Sequence, residues 1–393
     1  MMAKEKKKVP NLRFKGFTND WEQRKLKKLG FFYKGKGYTK KDLINNGVPI
    51  LLYGELYTHY SEKISNTRLH SKLLLHSIFS AGNEVVLPDS GETSTDIARA
   101  SWISNSGIIL AGGLIIIKPN EYIFPGFLAY SLTYGKNHKL LASRAQGKSI
   151  VHIHANDLKT LNIIYPENLK EQQRIFALLE KLNKCIALQQ RKLKLLKEIR
   201  KGIVENIRDN NFEYKEQKND FKDVKIKDMF KITRGKVLPK EKISSNKISP
   251  NIYPVFSSQT LNNGLLGFYK DYLFQNAITW TTDGANAGTV NFRNEKFYST
   301  NVNGVLLQKK IKPDLLTADL LNLVAFKYVS KVGNPKLMNN TMANIRIKIP
   351  SNTNARIFYS KILNKCDTKI DFINKKIDYL TTFKRFLLQN MFI

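Results

Sequence analysis

The sequence predicts an α+β chain built twice: a mixed globular body, a long helix, a second mixed body and a second long helix. Three observations lead there. The segment "NDWEQRKLKKLG" from Asn19 returns two hundred residues later as "NDFKDVKIKDMF" from Asn219. A second match, at an offset of 184, sets "NIIYP" ending at Pro166 against "RIKIP" ending at Pro350. After each of these prolines, apolar residues recur at alternating steps of four and three. Self-similarity on this scale decides an architecture before any single element does.

The frame of the bodies comes first. At the offset of 200, Trp21 matches Phe221, Leu26 matches Ile226, Leu29 matches Met229, and Gly35-Lys36 matches Gly235-Lys236. "SGIILAGGLIIIKP" and "STNVNGVLLQKK" read as matching strands, and "PGFLAYSLTYGKNHKLLAS" and "TADLLNLVAFKYVSKV" as matching helices. From Trp21 to Pro166 there are 145 steps, and from Phe221 to Pro350 there are 129, so the frame repeats while its filling differs. The polar link "DNNFEYKEQKND" reads as a boundary between the halves. These marks divide the chain into a first body over residues 1–165, a central helix over 166–209, a second body over 210–349 and a C-terminal helix over 350–393.

The helices follow from their spacing. From Ile175 the steps reach Leu179, Leu182, Ile186, Gln189, Leu193, Leu196, Arg200, Ile203 and Ile207. Adding 184 reaches Tyr359, Leu363, Cys366, Ile370, Ile373, Ile377, Leu380, Lys384, Leu387 and Met391. A seam that repeats every 3.5 residues is that of a coiled coil. Both seams carry a basic residue at the same place, Arg200 and Lys384. The simplest arrangement packs the two helices on each other. The bland alternative lays each as an amphipathic helix on its own body.

Composition points to the partner. The 393 residues carry a net charge of +33, which calls for a polyanion, nucleic acid first and an acidic membrane surface second. The start "MMAKEKKKVPNLRF" has no apolar run behind it and is expected not to be a signal peptide. The longest apolar stretch, "GIILAGGLIII", reads as buried strand rather than a membrane span. Cys185 and Cys366 form no metal spacing and read as small apolar residues in a reducing cytoplasm. No metal and no cofactor is expected. An adenine methyltransferase needs an Asn/Asp-Pro-Pro-aromatic motif, and the sequence has none; it has no GxxxxGK[ST] phosphate loop either. The rival readings are a stand-alone DNA-modifying or DNA-cleaving enzyme with unrecognised motifs, and a basic structural RNA-binding protein.

Candidate contacts come in pairs. Basic glycine turns near the start of each body, "FYKGKGYTKKD" and "ITRGKVLPKEK", offer Lys34, Lys36, Arg234 and Lys236 to phosphates, with glycine permitting close backbone approach. Before the last strand of each body, "SRAQGKSIVH" and "NPKLMNNTMAN" offer Arg144, Gln146, Lys148, Lys336, Asn339 and Asn340 to base edges, where Arg and Lys suit guanine and Asn and Gln suit adenine. A third pair, "PDSGETSTD" and "TTDGANAGT", offers Thr93 and Asn286 on glycine-rich turns, although turn chemistry alone produces the same letters. His152 and His154 share a face if that stretch is a strand, with no further ligand near in sequence for a metal.

The chain resembles the specificity subunit of type I restriction–modification systems. The resemblance rests on "VPNLRFKGFTNDWEQRKLKKLG", "LKTLNIIYPENLKEQQRIFALLEKL" and "IDFINKKIDYLTTFKRFLLQNMF", and it covers nearly the whole chain. It implies two target-recognition domains in a pseudo-two-fold arrangement, separated by two long helices packed as an antiparallel coiled coil. The expected helix-pair seam is Leu179, Leu182, Ile186, Leu193 and Leu196 with Leu363, Ile370, Ile373, Ile377 and Leu380. The resemblance further implies a non-catalytic cytoplasmic DNA-binding subunit that reads a bipartite double-stranded target with an unread gap. Its implied partners are two methyltransferase subunits, which carry the S-adenosylmethionine, and restriction subunits beyond them, with no membrane. One departure stands out: the second helix begins "SNTNARIFYSKIL" and lacks the Glu-Gln pair of "ENLKEQQRI".

Overall fold

The structure, a computed structural model, describes residues 9–147, 149–214, 217–218, 220–258 and 261–392. The chain divides into two compact units. One holds Met1–Leu188 with Ile377–Ile393, the other Gln189–Lys376.

In the first unit the frame is β1 (Glu22–Lys25), β2 (Gly30–Lys34), β3 (Glu84–Pro88), β4 (Leu114–Pro119) and β5 (Asn162–Tyr165), with helix α1 (Pro125–Thr133) between the last two. The main sheet runs β2-β4-β3, followed by strands Ser101–Ile103 and Lys63–Ile64. The long helix α2 (Leu169–Arg208) starts just after β5. In the second unit the frame is β6 (Phe221–Lys225), β7 (Phe230–Arg234), β8 (Ala277–Thr281), β9 (Val290–Arg293), β10 (Asn303–Gln308) and β11 (Arg346–Pro350), with α3 (Leu315–Ala325) between the last two strands. Its main sheet runs β7-β10-β8-β9. The second long helix, α4, spans Thr353–Asn390.

The two sequence offsets meet in one pairing. β1 is antiparallel to β5 with Glu22 opposite Tyr165, and β6 is antiparallel to β11 with Lys222 opposite Ile349. The second pair is the first with 200 added on one strand and 184 on the other. The matched apolar residues lie inward: Trp21, Leu26, Leu29, Ile226 and Met229 are all buried.

Two long segments divide where glycine allows it. "GIILAGGLIII", read as one strand, splits into Ser106–Leu110 and β4, which belong to different sheets. Gly113 at the turn has φ +83°, which a β-branched residue does not adopt readily. "PGFLAYSLTYGKNHKLLAS" splits at the extended Tyr134 into α1 and a second helix, Gly135–Arg144.

Each unit encloses pieces of both long helices in its core. In the first, Ile175, Phe176 and Leu179 of α2 share a cluster with Trp21, Phe127, Leu387 and Met391. In the second, Val204 and Ile207 share one with Tyr359 and Leu363 of α4. There the helices run in opposite directions, since Arg200 meets Asp367 while the Tyr359 hydroxyl donates to the carbonyl of Phe212, 3.2 Å away and past the end of α2. Of the expected seam residues, Leu179, Leu363, Ile370 and Ile373 are buried, and Leu182, Ile186, Leu193, Leu196, Ile377 and Leu380 are half-buried.

The start of each long helix is anchored from within. Glu171 and Gln172 are both fully buried. Arg13 donates two bonds to the Glu171 carboxylate at 2.7 and 2.9 Å. Gln172 accepts from the Phe124 amide at 2.7 Å and donates to the carbonyls of Pro166 and Tyr122 at 2.8 and 3.0 Å. In the second copy Ala355 and Arg356 stand at these places, both buried, and Arg356 donates to the Pro350 carbonyl at 3.0 Å. The Glu-Gln pair is therefore an internal anchor, and Arg356 takes over the bond to the preceding proline.

The basic breaks in the seams are partnered too. Lys384 donates to Glu62 at 2.9 Å, and the same carboxylate accepts from Tyr134 at 2.6 Å and Asn183 at 3.0 Å. Burial pushes the Glu62 carboxyl up, but the Lys384 charge and these bonds outweigh it, and the net shift is downward. In the second unit Arg200 donates to Asp319 of α3 at 2.8 Å and to Asp367 of α4 at 2.9 Å. At the 184-residue offset Arg200 matches Lys384 and Asn183 matches Asp367, so the same two helix positions carry the polar contact in both units. For Asp319 burial wins over Arg200, and its pKa rises to about 6.

Two measurements check this account. Leu179→Ala should lower unfolding free energy by about 3 kcal/mol in urea titration, the usual cost of a fully buried leucine. Leu188→Ala, at a position 64% exposed on the same helix, should change it by less than about 0.5 kcal/mol. The raised Asp319 pKa means the folded state binds a proton more tightly than the unfolded state. Stability tied to this group is therefore present below pH 3.8 and is lost as pH rises to about 6. Asp319→Asn should flatten the stability–pH curve in that window, and an unchanged curve would contradict the buried pair.

Candidate nucleic-acid interface

In the first unit four turns converge. The turn after β2 lies against the turn before β4: the Gly35 amide donates to Leu114 O at 3.0 Å, and the Gly112 amide donates to Gly37 O at 3.0 Å. The turn after β3 joins them, with the Asp89 amide bonded to Gly113 O at 2.9 Å. The segment before β5 closes the group. His152 and Val151 pair with Ser90 and Gly91, Ile153 donates to Asp89 O at 3.0 Å, and Gln146 exchanges backbone bonds with His152 at 2.8 and 3.0 Å. Lys34, Lys36 and Gln146 stand exposed on these turns. Lys34 approaches Asp89 at 3.7 Å.

The second unit repeats the convergence. Gly235 donates to Asn303 O at 3.1 Å and Lys236 to Ser299 O at 3.0 Å. Thr282 donates to Val302 O at 3.0 Å, Leu337 to Thr282 O at 2.9 Å, and Gly284 to Pro335 O at 2.9 Å. Lys336 approaches Asp283 at 4.0 Å. Arg234 reaches the Met338 sulfur at 3.8 Å, next to Asn339 and Asn340, which open a short helix, Asn339–Asn344. Arg234, Lys236, Asn286, Lys336, Asn339 and Asn340 thus come from three separate turns into one cluster, with Lys236, Asn286, Lys336 and Asn340 exposed.

Several expectations need revision. The Arg144 guanidinium is bound to the carbonyl of Asp157 and the hydroxyl of Thr160, so it holds the helix Ala155–Lys159 rather than standing with the exposed turns. Lys148 lies outside the described residues. His152 ends a two-residue strand while His154 caps the next helix, so the two rings do not share a strand face. Thr93 caps the short helix Ser94–Ile97, accepting from Asp96 N at 3.1 Å, which accounts for it by turn chemistry. Gly35 and Gly235 owe their identity to the protein: an added Cβ would lie 1.8 Å from Ala111 O in one case and 2.1 Å from Thr300 O in the other.

Sequence reasoning missed Asp89 and Asp283, the carboxylates beside Lys34 and Lys336. Their signal is a shared Asp in the matched turns "PDSG" and "TTDG". It also missed a cleft of about 840 Å³ beside the first cluster, lined by Tyr53, Tyr57, Glu92, Arg99 and His152 among others. Tyr57 donates to Ser90 O at 2.6 Å, and burial raises its pKa, so it is a phenol donor there.

These positions separate by mutation. Lys36→Ala should weaken DNA binding about equally across sequences and lower the salt slope by about one unit, read by fluorescence anisotropy at several salt concentrations. Arg144→Ala should instead lower the thermal midpoint, because it removes the guanidinium that ties the Asp157 carbonyl and the Thr160 hydroxyl to the preceding helix, with base preference unchanged.

Comparison with known proteins places these features. The family model of the type I restriction modification DNA specificity domain matches residues 18–198 and again 218–382. A Mycoplasma pneumoniae chain that carries the name of a type I specificity subunit N-terminus is 45% identical over 134 residues, 33% of this chain and 70% of that one. The type I restriction enzyme MpnII specificity subunit of the same organism is 40% identical over 134 residues, again 33% of this chain but 39% of its own length. A crystal structure of a type I S subunit from M. genitalium superposes with a TM-score of 0.71 at 15% identity, covering 98% of this chain and 99% of that one. A chain from a structure of type I complex assembly reaches 0.52 at 15% identity, covering 94% and 96%. Both structures share the fold.

Proposed function

The chain belongs to the family of type I restriction–modification specificity subunits, and we propose that each of its two bodies reads one half of a bipartite double-stranded DNA target through its cluster of basic turns. The observation that carries this reading is the repeated convergence. Two unlike sets of polar and basic side chains are mounted on one frame, the first with Lys34, Lys36 and Gln146, the second with Arg234, Lys236, Asn286, Lys336, Asn339 and Asn340. Like frames with unlike fillings suit two half-sites of different sequence. The net charge of +33 supplies the attraction to phosphate that any such reader needs.

The subunit is proposed to work in the cytoplasm and to lack catalysis of its own, with S-adenosylmethionine on partner methyltransferase subunits. Support for two such partners comes from the outer faces of the long helices. On α2, Leu188, Leu195 and Ile199 are more than half or about half exposed; at the 184-residue offset on α4 stand Phe372, Tyr379 and Phe383, followed by Phe386. Each set recurs at steps of seven and four, along one helix face. Apolar rows left in water at matched places suit two copies of one partner, with restriction subunits joining beyond them. No helix among the described residues is long and apolar enough to cross a membrane.

Exchange of residues 21–165 for those of another member should change one half of the recognised target and leave the other, read by mapping modified adenines across the host genome. A change in both halves would overturn the two-reader assignment. The purified chain with S-adenosylmethionine and plasmid DNA should transfer no methyl group until methyltransferase subunits are added.

A further inference from the structure

We propose that the second body contains a buried site for a phosphate-sized oxyanion, built around Arg293 on one face of strands β8, β9 and β10. The site adjoins the exposed turns at Asn303, but none of the side chains offered there to DNA lines its cavity, and it stands whether or not those turns read DNA.

The strand register builds it. Ala277 lies opposite Arg293, Thr279 opposite Asn291, and Thr281 opposite Asn303. Side chains two apart on a strand share a face, so Thr279, Thr281, Asn291, Arg293 and Asn303 lie on one face, beside the apolar Ala277 and Val305. The alternate residues, Ile278, Trp280, Val290 and Leu306, belong to the apolar core on the other side. The polar residues border a cavity of about 60 Å³. At about 10–15 Å³ per water-sized sphere, that is room for a group of about four or five heavy atoms.

The duplicated frame does not require this face. In the first body Leu114 lies opposite Pro88, Ile116 opposite Val86, Val86 opposite Ser101, and Glu84 opposite Ile103. Matching the two registers sets Leu114 against Asn303, Val86 against Thr279 and Ile103 against Arg293. Leu114, Val86 and Ile103 are buried in an apolar cluster. At these three places the second body carries a polar residue or a cation where the first is apolar, while the polar residues that the first body does bury on this face, Glu84 and Ser101, stand opposite Ile103 and Val86.

That cation has no counter-charge among the described residues. Arg293 is only 7% exposed. It forms no ion pair with a described carboxylate, and no acidic side chain is among the described residues that line the cavity. Glu295 acts on it only from a distance, and burial lowers its pKa to about 10, so it stays charged at neutral pH. The guanidinium packs over the Phe256 ring at 3.6 Å from the centroid and donates through Nη2 to the Asn263 carbonyl. Its Nε, a donor, has no partner among the described residues. A buried guanidinium without an anion is strongly disfavoured. A guanidinium edge with hydroxyl and amide groups beside it matches the donor set that holds an oxyanion. Metal ions are excluded by the same charge. The occupant is a phosphate group, either a free ion or a phosphate of the DNA backbone.

The test uses the full chain, with inorganic phosphate as probe and ionic strength held constant by a bulky organic anion. Isothermal titration should show saturable binding at one site, and the thermal midpoint should rise with phosphate. Arg293→Met should weaken that binding by roughly tenfold or more, as expected for the loss of charge-assisted hydrogen bonds. Asn291→Asp places a carboxylate on the same face two residues from Arg293. It should fold at least as stably as the parent in phosphate-free buffer and lose the phosphate response, so it decides the matter even if Arg293→Met does not fold. Competition between phosphate and a DNA duplex in the parent, absent in Asn291→Asp, would assign the site to the DNA backbone. Equal DNA affinity with and without phosphate would assign it to the free ion. No saturable binding by the parent, or an equal response in parent and Asn291→Asp, would overturn the proposal.

Discussion

Each body is closed by the pairing of its first strand with its last, and the rest of the unit depends on that closure. β1 on β5, and β6 on β11, bring segments more than a hundred residues apart into one antiparallel ladder. The long helix that follows starts at a fixed place as a result. Pro166 and Pro350 sit at that point, and their carbonyls are taken by Gln172 and Arg356. The order of the remaining strands, β2-β4-β3 in one body and β7-β10-β8 in the other, then carries the turns that hold the basic residues.

Polar groups inside these units serve alignment more than stability. Lys384 on Glu62 and Arg200 on Asp319 and Asp367 are buried or half-buried ion pairs, and such pairs add little net stability because desolvation offsets their attraction. Their effect is one of position. A leucine at either place would satisfy an apolar seam at several depths, whereas a cation held by a carboxylate accepts one register. The opposite shifts of Glu62 and Asp319 show how local the balance is. Glu62 has three donors and stays charged, while Asp319 shares Arg200 with Asp367 and is pushed up by burial.

The glycines that introduce the basic turns have a structural cause. Gly35 and Gly235 bring two strand ends into backbone contact. Lys36 and Lys236 follow immediately and are carried outward by that contact. The motif thus joins two constraints in two residues: an internal approach that only glycine permits, and an exposed charge beside it.

Much of the frame was legible in the sequence because it rests on local, periodic signals. The doubled opening, the prolines before the helices, the seam spacing and the basic breaks at Arg200 and Lys384 all depend on residue type at short range. The candidate basic turns were legible for the same reason, since glycine with lysine marks a turn wherever it occurs. What a side chain meets across the fold was not. Arg144 has the chemistry of a base reader but is bound to a helix end, and Glu171 and Gln172, a polar pair near a helix start, are buried. Asp89 and Asp283 gain their place beside lysines only when distant turns converge. Arg293 is one basic residue among 65 in the sequence; only the pairing of β8 with β9 and β10 turns it inward, away from any described carboxylate. Sequence alone determined the repeat and its elements, because those follow from spacing along the chain. Tertiary structure decided which charges face water and which are enclosed, because that depends on strand register between segments far apart in sequence.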